Sequence, residues 1–369
     1  MDWQPYVEAG LLAGEGPEHD ERRELLAFLA GEGCTIAEMV VAERRGRLFG
    51  LAGDRILRPG ARTFTLAEVA EQLGRDEQLV RRVWRSFGLA DWDGTEPLAS
   101  PDDVQVLGDA LFAVDVLGDE RAFPYFRAIA ASLSQIGDAS NALGRSLSPS
   151  GSVATSQSEL ATARYWAAIA PMLPSTARSL DVLFRHHFEL ARAHFERSNS
   201  FDLMSRRRTR AAVGFVDMTG FTRATEELED AEFEGLMASF AQLVGETVGQ
   251  LGGRVVKLIG DAAMLVAPDP EVLVTAIDEL LRTWSQQHEG YALHAGLAYG
   301  ELLCQDGDFF GRGVNVAARL VALAGPSTMV ASAPVGEALD DGTWAVEWQD
   351  PTVLRGIPDP VVTCLVRRR

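Results

Sequence analysis

The sequence predicts a multidomain chain in two parts. An all-α half covers residues 1–196, and an α+β half of ferredoxin-like order covers residues 211–369, with a basic linker at 197–210 between them. Three observations carry this. Up to about residue 196, apolar residues recur at helical spacing, with caps and breakers between the runs. Ser198-Asn199-Ser200 and the cluster Arg206-Arg207-Arg208-Thr209-Arg210 then interrupt that pattern. From Ala211 onward, short apolar strands alternate with long amphipathic helices in the order β-α-β-β-α-β.

In the first half, Leu25, Leu26, Phe28 and Leu29 predict a helix over 21–31 that Gly31 can end. Thr65 with Glu68 three residues later forms a capping box, opening a helix over 65–73 that Gly74 breaks. Asp76 caps a second helix ending near Gly88. Further helices are expected over 102–117, 123–133, 159–172 and 176–197. Pro174 separates the last two, and Pro171 marks a kink or stop. The Ser-rich stretch 146–158, with Pro149 and Gly151, reads as an exposed connector.

In the second half, 211–217 is a strand and 230–251 a long helix. Two strands, 254–258 and 262–266, meet at Ile259-Gly260-Asp261, a hairpin tip. A helix over 271–287, a strand over 292–303, a loop, a helix over 314–323 and shorter strands complete the chain.

A chain of 369 residues, 47% of them hydrophobic, can bury a core in each half. A net charge of −19 argues against a general nucleic-acid binder, because such a surface repels phosphate backbones. Cys34, Cys304 and Cys364 are odd in number and lack metal-ligand spacing. Neither a disulfide framework nor a zinc site follows, as in a reducing compartment. No apolar run approaches the ~18–20 residues that span a bilayer. Met1-Asp2-Trp3-Gln4-Pro5 has no signal-peptide character. A cytoplasmic protein is expected.

Three segments carry chemistry. Phe215-Val216-Asp217-Met218-Thr219-Gly220-Phe221 places an acid at the end of an apolar strand, and Lys257-Leu258-Ile259-Gly260-Asp261 a second acid at a hairpin tip. The segment from Asp308 to Arg319 is a Gly-containing loop running into a helix. In a ferredoxin-like sheet the first strand lies beside the third, so Asp217 and Asp261 can meet. Two close carboxylates repel unless a cation sits between them. Oxygen-only ligands suit Mg²⁺ or Mn²⁺, and two such ions can activate a hydroxyl and hold a triphosphate. Asn315 and Arg319, four residues apart, share a helical face. Arginine offers a forked, permanent charge to a phosphoryl group.

These residues resemble the functional set of the class III adenylyl/guanylyl cyclases, over about residues 211–369. The resemblance implies a catalytic domain that attacks the α-phosphate of ATP with the ribose 3′-oxygen, releasing pyrophosphate and 3′,5′-cyclic AMP. It implies two divalent metal ions (Mg²⁺ or Mn²⁺) on Asp217 and Asp261. Lys257 and Asp308 would read the adenine, Asn315 would orient the ribose and Arg319 would stabilise the transition state. Arg355, in Leu354-Arg355-Gly356-Ile357, would meet the outgoing phosphates. No side-chain general base is evident. Sites in this family form between two chains, so one chain carrying the full set implies a homodimer. Guanylyl cyclases generally carry Glu and Cys, or similar, where Lys257 and Asp308 stand. A carboxylate acceptor suits adenine's amine and not guanine's oxygen. A guanylyl or mixed-specificity cyclase is the alternative.

Residues 65–89 also read as a helix-turn-helix pair, with Arg75, Arg81, Arg82 and Arg85 as cations. A DNA-binding regulator with a nucleotide-sensing domain is therefore a second alternative. The net charge weighs against it, and a pair packed inside a regulatory domain is preferred. The overall order resembles bacterial soluble cyclases with an autoinhibitory, pH-responsive helical domain. That likeness implies acid activation and, as in some members, a fatty acid or other small-molecule effector at the N-terminal domain. His186, His187 and His194, on the last helix before the linker, are the candidate proton acceptors there.

Overall fold

The computed structural model describes residues 1–12, 17–57, 63–91, 97–146, 159–197 and 208–369. The chain divides into two compact units, Met1–Arg185 and His186–Arg369, and the helix Leu173–Arg197 crosses the division. Of the connector expected over 146–158, Ser146 ends a helix and the rest, with the linker residues 198–207, lies outside the described residues.

In the first unit, local capping chemistry sets the helix starts. Thr65 accepts from the Glu68 amide while the Glu68 carboxylate accepts from the Thr65 amide, opening Leu66–Leu73. Gly74 ends that helix in the left-handed conformation, φ +62°. Asp76 caps Glu77–Ser86 through the Leu79 amide. The same device recurs at Thr35 with Glu38 before Ile36–Arg44, and at Ser100 with Asp103 before Pro101–Leu117.

Two apolar cores result. One gathers Val69, Val80, Val83, Trp84, Leu107, Leu111 and Phe126. The other gathers Tyr6, Leu25, Leu26, Leu29, Met39, Leu48 and Leu160.

Two helix boundaries differ from expectation. The helix expected over 123–133 runs from Asp119 to Ser146, continuing through Gly137 and Gly144. The break near the prolines falls at Ala170–Met172, a 3₁₀ turn holding Pro171, and the helix resumes at Leu173. Pro174 thus sits at its second position, where a missing N–H has no intrahelical partner to lose.

Each arginine of the helix-turn-helix pair is matched by a carboxylate. Arg75 grips Asp115 with two hydrogen bonds of 2.6 and 2.8 Å, and Arg82 meets Asp119 at 2.8 Å. Arg81 and Arg85 converge on Asp91 at 2.5 and 3.0 Å, and the Asp91 side chain is 1% exposed. Four cations already neutralised are poorly placed to meet DNA phosphates.

The Arg81 hydrogen bond holds the Asp91 carboxyl below the ordinary carboxylate range. A depressed folded pKa adds stability above the unfolded pKa, and the stability is lost as pH falls through the folded one. Asp91→Ala in the full chain is expected to cost about 1.5–3 kcal/mol at neutral pH. The gap in melting temperature from wild type should close on acidification. A gap that widens in acid would contradict this account.

The second unit is an eight-stranded sheet. Its strands are β1 (Arg208–Met218), β2 (Arg254–Ile259), β3 (Ala262–Ala267), β4 (Leu293–Gln305), β5 (Asp308–Phe310), β6 (Met329–Ser332), β7 (Trp344–Thr352) and β8 (Val361–Arg368). The order is β2-β3-β1-β4-β6-β8-β7, with β5 paired to β4 off this path. The antiparallel β2-β3-β1-β4 block is the expected ferredoxin-like core. β6 joins it parallel to β4, and β8 and β7 extend it. β1 starts at Arg208 rather than Ala211, because the long β4 continues the ladder to an Arg208–Leu303 pair. An Arg208–Glu301 ion pair of 3.1 Å lies beside it.

The helices Asp230–Gln250 and Pro270–Gln287 cover one sheet face. Phe240, Val244, Ile277, Leu280 and Trp284 pack there on Val216, Leu265 and Leu297. The helix Arg312–Leu320 lies on the other face, burying Val316, Ala317 and Leu320 against Val213, Met264 and Leu302. Gly296 of β4 permits that approach. A Cβ there would come within 2.4 Å of the Ala317 carbonyl oxygen and the Val321 nitrogen.

Candidate active site

The sequence-predicted residues assemble as pairs. Asp217, near the end of β1, lies opposite Ala262 of β3, which follows directly on Asp261. The Met218 amide donates both to the Asp217 carboxylate and to the Asp261 carbonyl, each at 3.2 Å, tying strand end to hairpin tip. Gly260, at φ +61°, takes the first central position of that two-residue turn. Burial, and then the neighbouring Asp217 charge, raise the Asp261 carboxyl above its ordinary value. That is the signature of two acids wanting a cation.

Among the described residues no group of three or more His, Cys, Asp or Glu is gathered to hold a metal ion. Two carboxylates nevertheless suit Mg²⁺, which keeps waters and takes its remaining ligands from substrate phosphates. The donor set fits the implied ions.

Lys257 and Asp308 form an ion pair across the sheet face, from β2 to β5. A bulge brings Lys257 there. Val255 pairs with Leu265, but Lys257 pairs with Met264, so Val256 is an extra residue. Strict alternation would leave Lys257 on the face of Val255 and Leu265, which the two long helices cover. The bulge turns it to the opposite face, with Met264 and Phe309.

Asn315 and Arg319 project to solvent from the outer side of the helix Arg312–Leu320. Arg319 Nε donates to the Arg355 carbonyl at 3.4 Å, joining that helix to the loop before β8. The Arg355 side chain is exposed.

Two residues were missed by the sequence reading. His294 of β4 stands opposite Asp217 in the ladder. Its Nδ1 meets the Ala324 carbonyl at 3.0 Å and its Nε2 faces the Asp217 carboxylate at 3.4 Å. Two acceptors favour the doubly protonated ring, and the Asp217 contact chiefly raises its pKa. A lone histidine in the largely apolar first half of that strand was the available signal. Arg254, at the start of β2, reaches the turn before Asp308. It is remote from Asp308 in sequence, and no motif flagged it.

Acids and cations distributed this way over an antiparallel β2-β3-β1-β4 sheet, with two long helices behind, agree with the arrangement that the resemblance to class III nucleotidyl cyclases implies. No protein-family model matches the chain. It is 37% identical over 342 residues to an uncharacterised protein of Mycobacterium tuberculosis (strain H37Rv), covering 93% of this chain and 89% of that one. It is 29% identical over 373 residues to a pH-sensitive adenylate cyclase of Mycobacterium tuberculosis (strain CDC 1551), covering 96% of this chain and 89% of the relative. An adenylate cyclase of Streptomyces coelicolor is 25% identical over 280 residues, covering 75% and 72%. The chain is thus a relative of adenylate cyclases over most of its length.

Among the described residues no helix is long and apolar enough to cross a membrane.

Proposed function

We propose that this protein converts ATP to 3′,5′-cyclic AMP and pyrophosphate at composite sites of a homodimer. Residues 211–369 would be the catalytic domain, 197–210 a linker and 1–196 a regulatory domain. The observation that carries the reading is the juxtaposition of Asp217 and Asp261, with the Asp261 carboxyl raised by burial and by its neighbour. These two acids would hold the divalent ions, which supply charge neutralisation and activation of the ribose 3′-hydroxyl when bound.

The chain's other residues divide the remaining work. Lys257 donates to an adenine ring nitrogen and Asp308 accepts from the exocyclic amine. Asn315 orients the ribose. Arg319 donates to the α-phosphate as its charge grows, and Arg355 meets the departing phosphates. A second copy would bring its Lys257/Asp308 and Asn315/Arg319 sets to this chain's acids. Apolar exposure at the site rim supports this: Leu258 is 45%, Ile259 49% and Phe310 46% exposed.

Assays of the full-length protein with Mn²⁺ or Mg²⁺ test the reading. Cyclic AMP is expected from ATP in preference to cyclic GMP from GTP. Equal rates would favour mixed specificity, and no cyclic product under any condition would leave a nucleotide-sensing role. The same assay run across acid and neutral pH addresses regulation. A relative named as pH-sensitive, matched over 96% of this chain, supports an acid-dependent rate. A flat profile would oppose it. His186 and His187 are exposed on their helix, and the His194 side chain lies outside the described residues.

A further inference from the structure

Asp308 is carried by a hairpin that the sheet alone holds weakly. β5 is three residues long and, among the described residues, pairs only with β4. The connecting turn, Asp306-Gly307, has φ +53° and +82°, the backbone of a tight I′ hairpin turn. So short a hairpin, with one paired edge, is marginally stable by itself.

Arg254 grips this hairpin from β2. Its Nη2 donates to the Gly307 carbonyl at 3.3 Å. Its guanidinium carbon lies 5.1 Å from the centre of the Phe309 ring, within cation–π range. Gly307 and Phe309 are the two residues flanking Asp308. The Arg254 guanidinium also feels the Asp308 charge, while burial lowers its pKa. Three residues along the same strand, Lys257 meets the Asp308 carboxylate. One strand therefore supplies both the partner of Asp308 and the clamp on its hairpin.

We infer that Arg254 is a positioning residue for base recognition, holding Asp308 where its carboxylate meets Lys257 and a purine's exocyclic amine at once. This rests on the proposed reading of the site. A planar fork can donate to a carbonyl while lying over a ring, and lysine reproduces only the charge. Releasing the hairpin shifts the base-reading carboxylate without touching Asp217, Asp261 or Arg319. Binding and base choice should change more than the chemical step.

The test compares full-length wild type with Arg254→Met, Arg254→Lys, Asp308→Ala and the double variant Arg254→Met/Asp308→Ala. Arg254→Met is expected to raise the KM for ATP roughly tenfold and lower the ATP-over-GTP preference by a similar factor. Its kcat should stay within about threefold of wild type. Arg254→Lys should recover part of the loss. The double variant should be no worse than Asp308→Ala, because Arg254 acts through that carboxylate.

An unchanged KM and ATP:GTP ratio in Arg254→Met would overturn the inference. So would effects that add in full in the double variant, or a kcat loss that only follows a fall in melting temperature. If wild type forms no cyclic nucleotide from either substrate, the cyclase reading fails instead. The affinities of fluorescent ATP and GTP analogues then decide on Arg254: selective weakening of the ATP analogue supports its role, and equal or no weakening refutes it.

Discussion

Asp217→Ala is expected to bring cyclic AMP formation below detection while leaving the chain folded. The proposed chemistry joins a ribose oxygen to a triphosphate, and both carry or develop negative charge. Asp217 and Asp261 are the two carboxylates that the fold sets together, and in the proposed reading they would hold neutralising cations. One acid alone loses half of that donor set. Structurally the change is mild. The Met218 amide loses its contact with the Asp217 carboxylate but keeps the Asp261 carbonyl. The repulsion that adds to burial in raising the Asp261 pKa is relieved as well. His294 loses its Asp217 partner, which offsets that relief, so the melting temperature should change little, and the affinity for Mn²⁺ should fall. Retention of more than a trace of turnover would rule out Asp217 as a metal ligand.

Arg319→Ala should lower kcat by about 10³-fold with a smaller change in KM, as for other arginines that meet a phosphoryl group only in the transition state. The side chain is exposed, and its hydrogen bond to the Arg355 carbonyl is a long contact. Stability should therefore move within about 0.5 kcal/mol, the usual range for a surface change. Arg319→Lys should rescue poorly, because a point charge cannot reproduce the fork.

The two inactive variants also test the dimer. If each site takes its acids from one chain and Arg319 from the other, a mixed dimer of Asp217→Ala and Arg319→Ala has one intact site. Equal mixing should then restore roughly a quarter of wild-type activity, half the dimers having one of two sites. No recovery, with subunit exchange demonstrated, would place each site within a single chain.

Much of this protein was legible along the chain because it depends on neighbours in sequence. Thr65 with Glu68, Asp76, and Gly260-Asp261 act within a few residues of themselves, so their caps and turn stand where the letters put them. The β-α-β-β-α-β order followed from periodicity for the same reason. Asp217 and Asp261 were paired correctly because the first and third strands of that order are neighbours.

The tertiary structure decided what depends on a partner strand. Alternation alone would put Lys257 on the helix-covered face. The extra residue at Val256 reverses this, and it shows only in the pairing with β3. His294 meets Asp217 through the β1–β4 register, and Arg254 meets the hairpin of Asp308 across the sheet. The sequence by itself determined the order of the elements and the candidate residues for the proposed chemistry. Only the fold decided which face Lys257 occupies and which side chains brace the site, since pairing register arises from contacts between residues far apart in the chain.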